Sequence, residues 1–253
     1  MLSQDQIKSY EEQGYLHISN WLEGERLNQI TQAIDKIEQL DGPEFYREKT
    51  SGKIRTVFAP EKFDSSILAL LDNSDLPKLV EQLLKTDFYL FQSKLNTKSS
   101  LESGVWSWHQ DFKFWQEDGM LKPEALTVAI MLTDVEVPNG PLLAIPTSQS
   151  EGEVESYLNN PDGVHDENLK YMISQTTLAQ MVKKYGQIIP ITGKAGDVTI
   201  FHSNLLHSSY QNMGVIDRKL LMFTFNPIEN IREVPNPRPD YMVKRNLTVI
   251  NPK

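Results

Sequence analysis

Residues 187–201 read Gln187-Ile188-Ile189-Pro190-Ile191-Thr192-Gly193-Lys194-Ala195-Gly196-Asp197-Val198-Thr199-Ile200-Phe201: two short apolar runs around a glycine-bearing turn. Ile, Val and Thr are stiff at χ1, crowd a helix and suit a pleated strand, so the stretch predicts strand–turn–strand. The same texture recurs at Phe88-Tyr89-Leu90-Phe91, Leu126 to Leu132 and Leu220 to Phe225, with Pro138-Asn139-Gly140-Pro141 as a further turn signal. Several short strands with this punctuation predict a sandwich or barrel. The fold class expected is mainly β with flanking helices.

The helices are expected before residue 87. Ser3 with Gln6 three residues on reads as a helix start, Ile7 and Tyr10 continue an apolar face, and Gly14 ends it. Tyr15 to Ile18 reads as a short strand. Leu27, Ile30, Ile34 and Ile37 give helical spacing within Glu23 to Leu40, closed by Asp41-Gly42-Pro43. Leu79, Val80 and Leu83 mark a second helix over Leu76 to Leu84. The expected layout is one domain over 1–253: a mostly helical part at 1–86, then a β core at 87–253. A polar insertion at about 148–186 interrupts that core. It holds Pro161-Asp162-Gly163 and a helix over Thr177 to Lys184, and its length fits a lid over a substrate.

Composition narrows the chemistry. A net charge of −9 disfavours nucleic acid and anionic membrane surfaces as partners. With no cysteine, disulfides, zinc-thiolate sites, iron–sulfur clusters and thiol nucleophiles are excluded, so any metal must be held by His, carboxylate or carbonyl groups. The first twenty residues carry charges throughout, unlike a signal peptide, and no stretch has the ~20 apolar residues of a membrane span. A cytoplasmic protein is expected.

The chemistry concentrates at Trp106-Ser107-Trp108-His109-Gln110-Asp111-Phe112. On a strand, residues two apart share a face, so His109 and Asp111 could reach one metal ion. Two His and one carboxylate leave three octahedral positions open, the arrangement of non-haem iron oxygenases. Of the five histidines, His17 reads as a surface or packing residue and His165 lies in the insertion. His202 and His207, flanking Ser203-Asn204-Leu205-Leu206, could each complete a triad. Arg218 opens the strand that follows. Its guanidinium could bind a carboxylate through two parallel hydrogen bonds, with the Ser209 hydroxyl beside it.

These residues resemble the phytanoyl-CoA dioxygenase superfamily, whose pattern is HxD, a distal His, Ser two residues on and Arg about eleven on. His109, Asp111, His207, Ser209 and Arg218 fit it. The resemblance implies His207 rather than His202 as the third ligand, a double-stranded β-helix (the cupin-like jelly roll), and Fe(II), 2-oxoglutarate and O2 as cofactor and cosubstrates. The segments Trp108 to Trp115, Glu117 to Met120 and Asn139 to Pro146 are also similar to ectoine hydroxylases. Where those enzymes have Gly-Ser-His, this chain has Thr147-Ser148-Gln149. Tyr89 to Lys98, Trp108 to Trp115, Phe201 to Asn212 and Pro237 to Tyr241 resemble free L-leucine 5-hydroxylases of nonribosomal-peptide (4-methylproline) pathways.

The implied reaction couples oxidative decarboxylation of 2-oxoglutarate to hydroxylation of an unactivated carbon of a small-molecule amino acid. The carboxylate Asp111 argues against a halogenase, in which chloride takes that place. For the substrate, Arg238 is the expected carboxylate partner, with Arg232 as the alternative. Gln92, His165 and Phe112 are expected near it, and Lys94 is expected to help hold 2-oxoglutarate. A monomer or weak homo-oligomer is expected.

Overall fold

The computed structural model describes residues 1–252 except Thr50, Asn73, Ser103 and the segment 159–168. In chain order the elements begin with α1 (Gln4–Gln13), β1 (Tyr15–Ile18), α2 (Gly24–Ile37), β2 (Phe45–Arg47), β3 (Ile54–Phe58), α3 (Ser65–Asp72) and α4 (Leu76–Leu84). Then come β4 (Phe88–Lys98), β5 (Trp106–His109), α5 (Phe112–Trp115), β6 (Leu126–Met131), β7 (Leu142–Ala144), β8 (Ser156–Leu158) and β9 (Tyr171–Ile173). The last are α6 (Gln175–Tyr185), β10 (Ile189–Ile191), β11 (Val198–His202), β12 (His207–Ser209) and β13 (Arg218–Pro227). Two antiparallel sheets face each other: a seven-stranded sheet ordered β1-β11-β6-β13-β4-β3-β2 and a four-stranded sheet ordered β10-β7-β12-β5.

The large sheet is covered on both faces, which explains its nearly continuous apolar runs. Alternate residues take opposite faces. Leu95, Val128, Ile130, Val198, Ile200, Leu221 and Phe223 point one way and join the buried faces of α2, α3 and α4 in the main core. Each such fully buried side chain contributes about 1.5–3 kcal/mol. The intervening Gln92, Lys94, Asn96, Arg218, Leu220 and Met222 point the other way and line the space between the sheets.

α1 starts on the Ser3–Gln6 capping box and stops at Gly14, whose φ of 76° suits a residue without a side chain. The strand 15–18 and the helices at 24–37, 76–84 and 175–185 lie where the sequence predicts them, within a few residues. The N-terminal third holds α1 to α4. It contributes β1, β2 and β3 to the large sheet as well as its helices. β2 and β3 escape the sequence reading because Phe45–Arg47 and Ile54–Phe58 carry charged residues, and because β3, the strand that holds β2, pairs with β4, distant in sequence. In the insertion, β8 pairs with β9 and α6 follows; Pro161-Asp162-Gly163 and His165 lie outside the described residues. Among the described residues no helix is long and apolar enough to cross a membrane.

Candidate active site

His109 and His207 are direct cross-strand neighbours in the β5–β12 ladder, so their rings emerge side by side with centroids 4.2 Å apart. Each ring is oriented in the same way. His109 Nδ1 donates to the Ser107 carbonyl at 2.6 Å, and His207 Nδ1 donates to the Leu205 carbonyl at 2.9 Å. A carbonyl can only accept, so both protons sit on Nδ1 and both Nε2 lone pairs face one point.

Asp111 completes the cluster, with Oδ1 3.6 Å from His109 Nε2 and Oδ2 3.9 Å from His207 Nε2. The three side chains are buried, and their donor atoms lie within 4.8 Å of one another. The expected strand placement of the pair needs correcting. β5 ends at His109, and Asp111 has φ −63° and ψ −38° at the entry to the short helix α5. The chain turns after the first ligand, and the turn rather than strand alternation delivers the carboxylate.

Burial pushes the Asp111 carboxyl up, but the neighbouring His207, His109 and Lys94 outweigh it and hold the group well below the usual carboxylate range. Burial, with His109 adding to it, pushes His207 down to about 4. At neutral pH His207 is therefore a neutral imidazole and Asp111 a carboxylate, and with the His109 ring they make the two-His, one-carboxylate donor set of a ferrous site.

The cavity beside this cluster measures about 170 Å³. One end is a polar cradle. Arg218, at the first position of β13, is buried and forms no ion pair among the described residues, and its Nε has no hydrogen-bond partner. Asn96 Oδ1 and Thr56 Oγ1, which also line the cavity, are likewise buried without partners. Unpaired buried polar atoms are uncommon, so three at one spot mark a place built for a polar ligand. Burial and the nearby Arg55 guanidinium push Arg218 down to about 9, which still leaves it a cation at neutral pH. Ser209 lies buried on the facing sheet, two residues from His207 on β12, and lines the same cavity. This cradle of cation and unpaired polar atoms, beside the two-His, one-carboxylate cluster, fits a dicarboxylate that chelates a metal at one end and meets a guanidinium at the other.

Lys94 lines the cavity between the two ends. Its ammonium makes no hydrogen bond among the described residues. Burial pushes its ammonium down, opposed by Asp111, with Arg238 adding to the depression.

The remaining predicted residues divide. Gln92 lines the cavity, but its amide donates to the Met242 carbonyl at 2.8 Å. Arg238 also reaches the cavity, yet its fork is engaged. Nε lies 2.9 and 3.1 Å from the two Asp118 carboxylate oxygens, and Nη2 donates to Asp118 as well. Arg232 is exposed and does not line the cavity. Phe112 is a correction. It packs with Tyr89, Phe91, Trp115 and Met120 in a separate core cluster, because α5 rotates it away, and Phe114 and Trp115 line the cavity instead.

His202 is not in the triad. Its Nδ1 accepts from the Asn204 amide at 3.0 Å, and burial pushes its pKa down to about 4. His17 is tied to Thr199 and Asp197, each at 3.2 Å. The sequence reading missed Arg55, whose guanidinium lies 4.1 Å from the centroid of the Trp106 ring, and also Thr56, Asn96, Leu169 and Met242. Asn96 had a signal, since the period of two that places Gln92 and Lys94 on one face continues to it.

The family model for phytanoyl-CoA dioxygenase (PhyH) matches residues 10–220. The chain belongs to that family. As a PhyH member it is a dioxygenase dependent on ferrous iron and 2-oxoglutarate. It is 34% identical to an L-proline trans-4-hydroxylase of Streptomyces griseoviridis, over 96% of this chain and 93% of that protein. It is 29% identical to an ectoine dioxygenase of Nocardia farcinica, over 96% of this chain and 86% of the other. In three dimensions this PhyH chain superposes on EctD from S. alaskensis with bound Fe at a TM-score of 0.85. That match has 24% identity and covers all of this chain and 87% of the other, which establishes the shared fold.

Proposed function

We infer that this dioxygenase hydroxylates an unactivated carbon of a free aliphatic L-amino acid, L-leucine at C5, in the supply of a nonribosomal-peptide precursor. The observation that carries the amino-acid reading is the cavity's division of labour. A polar cradle and a metal-type triad stand at one end, Arg238 and the apolar Phe114, Leu169 and Met242 line the cavity away from them, and Lys94 lies between. A free amino acid needs a cation for its carboxylate and an apolar wall for its side chain.

In this reading His109, Asp111 and His207 hold ferrous iron. Arg218, Ser209 and the unpaired Asn96 and Thr56 receive the far carboxylate of 2-oxoglutarate, with Lys94 beside it. The bound iron and keto acid supply the oxidising power that breaks a C–H bond. The chain's own residues position the substrate and exclude water. Asp118 fixes the Arg238 guanidinium with Nη1 directed away from the clamp, and a substrate carboxylate would meet that edge. Gln92 holds the C-terminal wall through Met242.

A second reading is a cyclic imino acid such as proline, favoured by the likeness to the Streptomyces griseoviridis enzyme. Incubating the protein with Fe(II), ascorbate, 2-oxoglutarate and either L-leucine or L-proline, followed by mass spectrometry, separates the two. A one-oxygen gain on leucine is the expected result. Gain on proline alone overturns the leucine assignment, and no succinate release with either overturns the amino-acid reading.

A further inference from the structure

The insertion leaves the core and returns to it beside α5. Where it leaves, Glu153 accepts from Gln116 Nε2 at 2.8 Å and from Lys113, and the Val154 amide donates to Gln110 Oε1 at 2.8 Å. Where it returns, Glu117, just beyond α5, grips two residues at once. Lys170 Nζ lies 2.6 and 2.8 Å from its two carboxylate oxygens, and the Tyr171 hydroxyl donates to Oε1 at 2.5 Å. The Tyr171 ring packs edge-on against Phe114 at 5.6 Å, and the Phe114 ring stands edge-on to His109 at 5.8 Å. The returning chain is thus stacked onto a triad histidine through one aromatic side chain. Leu169, immediately before this grip, is 5% exposed and lines the large cavity. Among the described residues it is the insertion's one contribution to that wall.

We propose that Leu169 is the stop that sets how long an amino-acid side chain the site accepts, and that Glu117 is the positioning residue that holds the stop in place. The proposal rests on the aliphatic amino-acid reading of the large cavity. With the substrate carboxylate on Arg238, the room left for the side chain is bounded by the apolar wall. Leu169 lies outside both sheets, and β9, which follows it, pairs with β8 of the same insertion, so no ladder registers it against the core. Ile173 seats β9 by joining Ile145 and Leu206 in a core cluster, but apolar packing is non-directional. The directed bonds come from Glu117. One methylene in an apolar pocket changes kcat/KM by about 10–200-fold, so a fixed stop separates leucine from its next homologue.

L-leucine and L-homoleucine, one methylene longer, test the stop through kcat/KM. The parent should favour leucine by roughly tenfold or more, and Leu169→Ala should shift that ratio toward homoleucine by roughly tenfold, with the KM for 2-oxoglutarate unchanged. Leu169→Val should move the ratio the same way to a smaller degree if the first variant does not fold. Glu117→Ala tests the grip. Lys170 and Glu117 are 53% and 46% exposed, so the effect should be modest: a rise of roughly two- to fivefold in the amino-acid KM, again with 2-oxoglutarate unaffected. More succinate should be released per hydroxylated product, and Glu117→Gln, which keeps an acceptor, should recover part of both changes. A merely structural role would lower stability without splitting the two KM values. A parent that turns over homoleucine as well as leucine overturns the proposal, as does an unchanged ratio in a folded Leu169 variant. An unchanged amino-acid KM and product yield in folded Glu117→Ala overturns the role of Glu117. If the parent hydroxylates neither amino acid, the aliphatic reading itself falls, and the stop falls with it.

Discussion

The two ends of the large cavity are built from different material. At the triad and cradle end, His109, His207, Ser209, Asn96 and Arg218 all stand on paired strands, and Asp111 follows its strand by two residues. At the other end, Phe114 comes from a one-turn helix, Leu169 from the insertion, and Arg238 and Met242 from the irregular C-terminal segment. Ladder hydrogen bonds fix the first set to within fractions of an ångström, as a metal and a chelating cosubstrate require. The second set sits on connections, where sequence can change without disturbing the sheets. Relatives named for proline and for ectoine match this chain over 96% of its length. The difference teaches that the reaction is a property of the sheets and the substrate a property of the loops.

The comparison breaks most sharply at the triad. Asp111→Ala or His109→Ala should lower Fe(II) affinity by more than the roughly 10–100-fold typical of lost outer-shell partners, and should abolish turnover. Titration with Fe(II) and a coupled succinate assay check this, with circular dichroism confirming an intact fold. Full activity in either variant removes that residue from the metal. Next, Arg218→Ala deletes a charged hydrogen-bonding partner worth about 1.5–3 kcal/mol per bond, or roughly 10–150-fold. The KM for 2-oxoglutarate should rise by that factor and the KM for the amino acid should stay. An equal rise in both would mean that the two ends are not separable.

Asp118→Ala probes the loop end. Freed from its clamp, Arg238 should lose its orientation and raise the amino-acid KM about tenfold, a single charge-assisted contact, with 2-oxoglutarate unaffected. Ser209→Ala should be milder, about two- to tenfold in the KM for 2-oxoglutarate, as a neutral hydrogen bond is worth about 0.5–1.5 kcal/mol.

A separate effect, outside the two ends, concerns acid stability. His202 is held neutral, its folded pKa of about 4 lying below its ordinary 6.5. The unfolded chain therefore binds the extra proton first as pH falls. The stability from this group is complete above pH 6.5 and is lost on the way down to 4. Melting temperatures of the metal-free protein should drop across that window. His202→Gln should flatten the drop in part, and an unaltered slope would place the titration elsewhere.

Much of the strand end was legible because its signals are local. The spacing of His109 and Asp111, the run Val198 to Phe201, and Arg218 at the start of a strand each need only a few neighbouring residues to be read. Even there, the short range misled on Asp111, whose carboxylate arrives by a turn. It misled also on Phe112, which α5 packs against Phe91 and Trp115 in the neighbouring core rather than against the cavity. Arg55 and Thr56 could not be read at all. They matter only because β3 lies beside β4, a pairing some forty residues apart along the chain.

By itself, then, the sequence determined the metal-type donor set, the class of core and the helices that cover it, because residue type and periodicity encode these over short stretches. Tertiary structure alone decided that Arg238 is bound to Asp118, and that Arg55 and Thr56 join Arg218. Strand register and chain turns set those neighbours, and register is a contact between residues remote in sequence that no local pattern records.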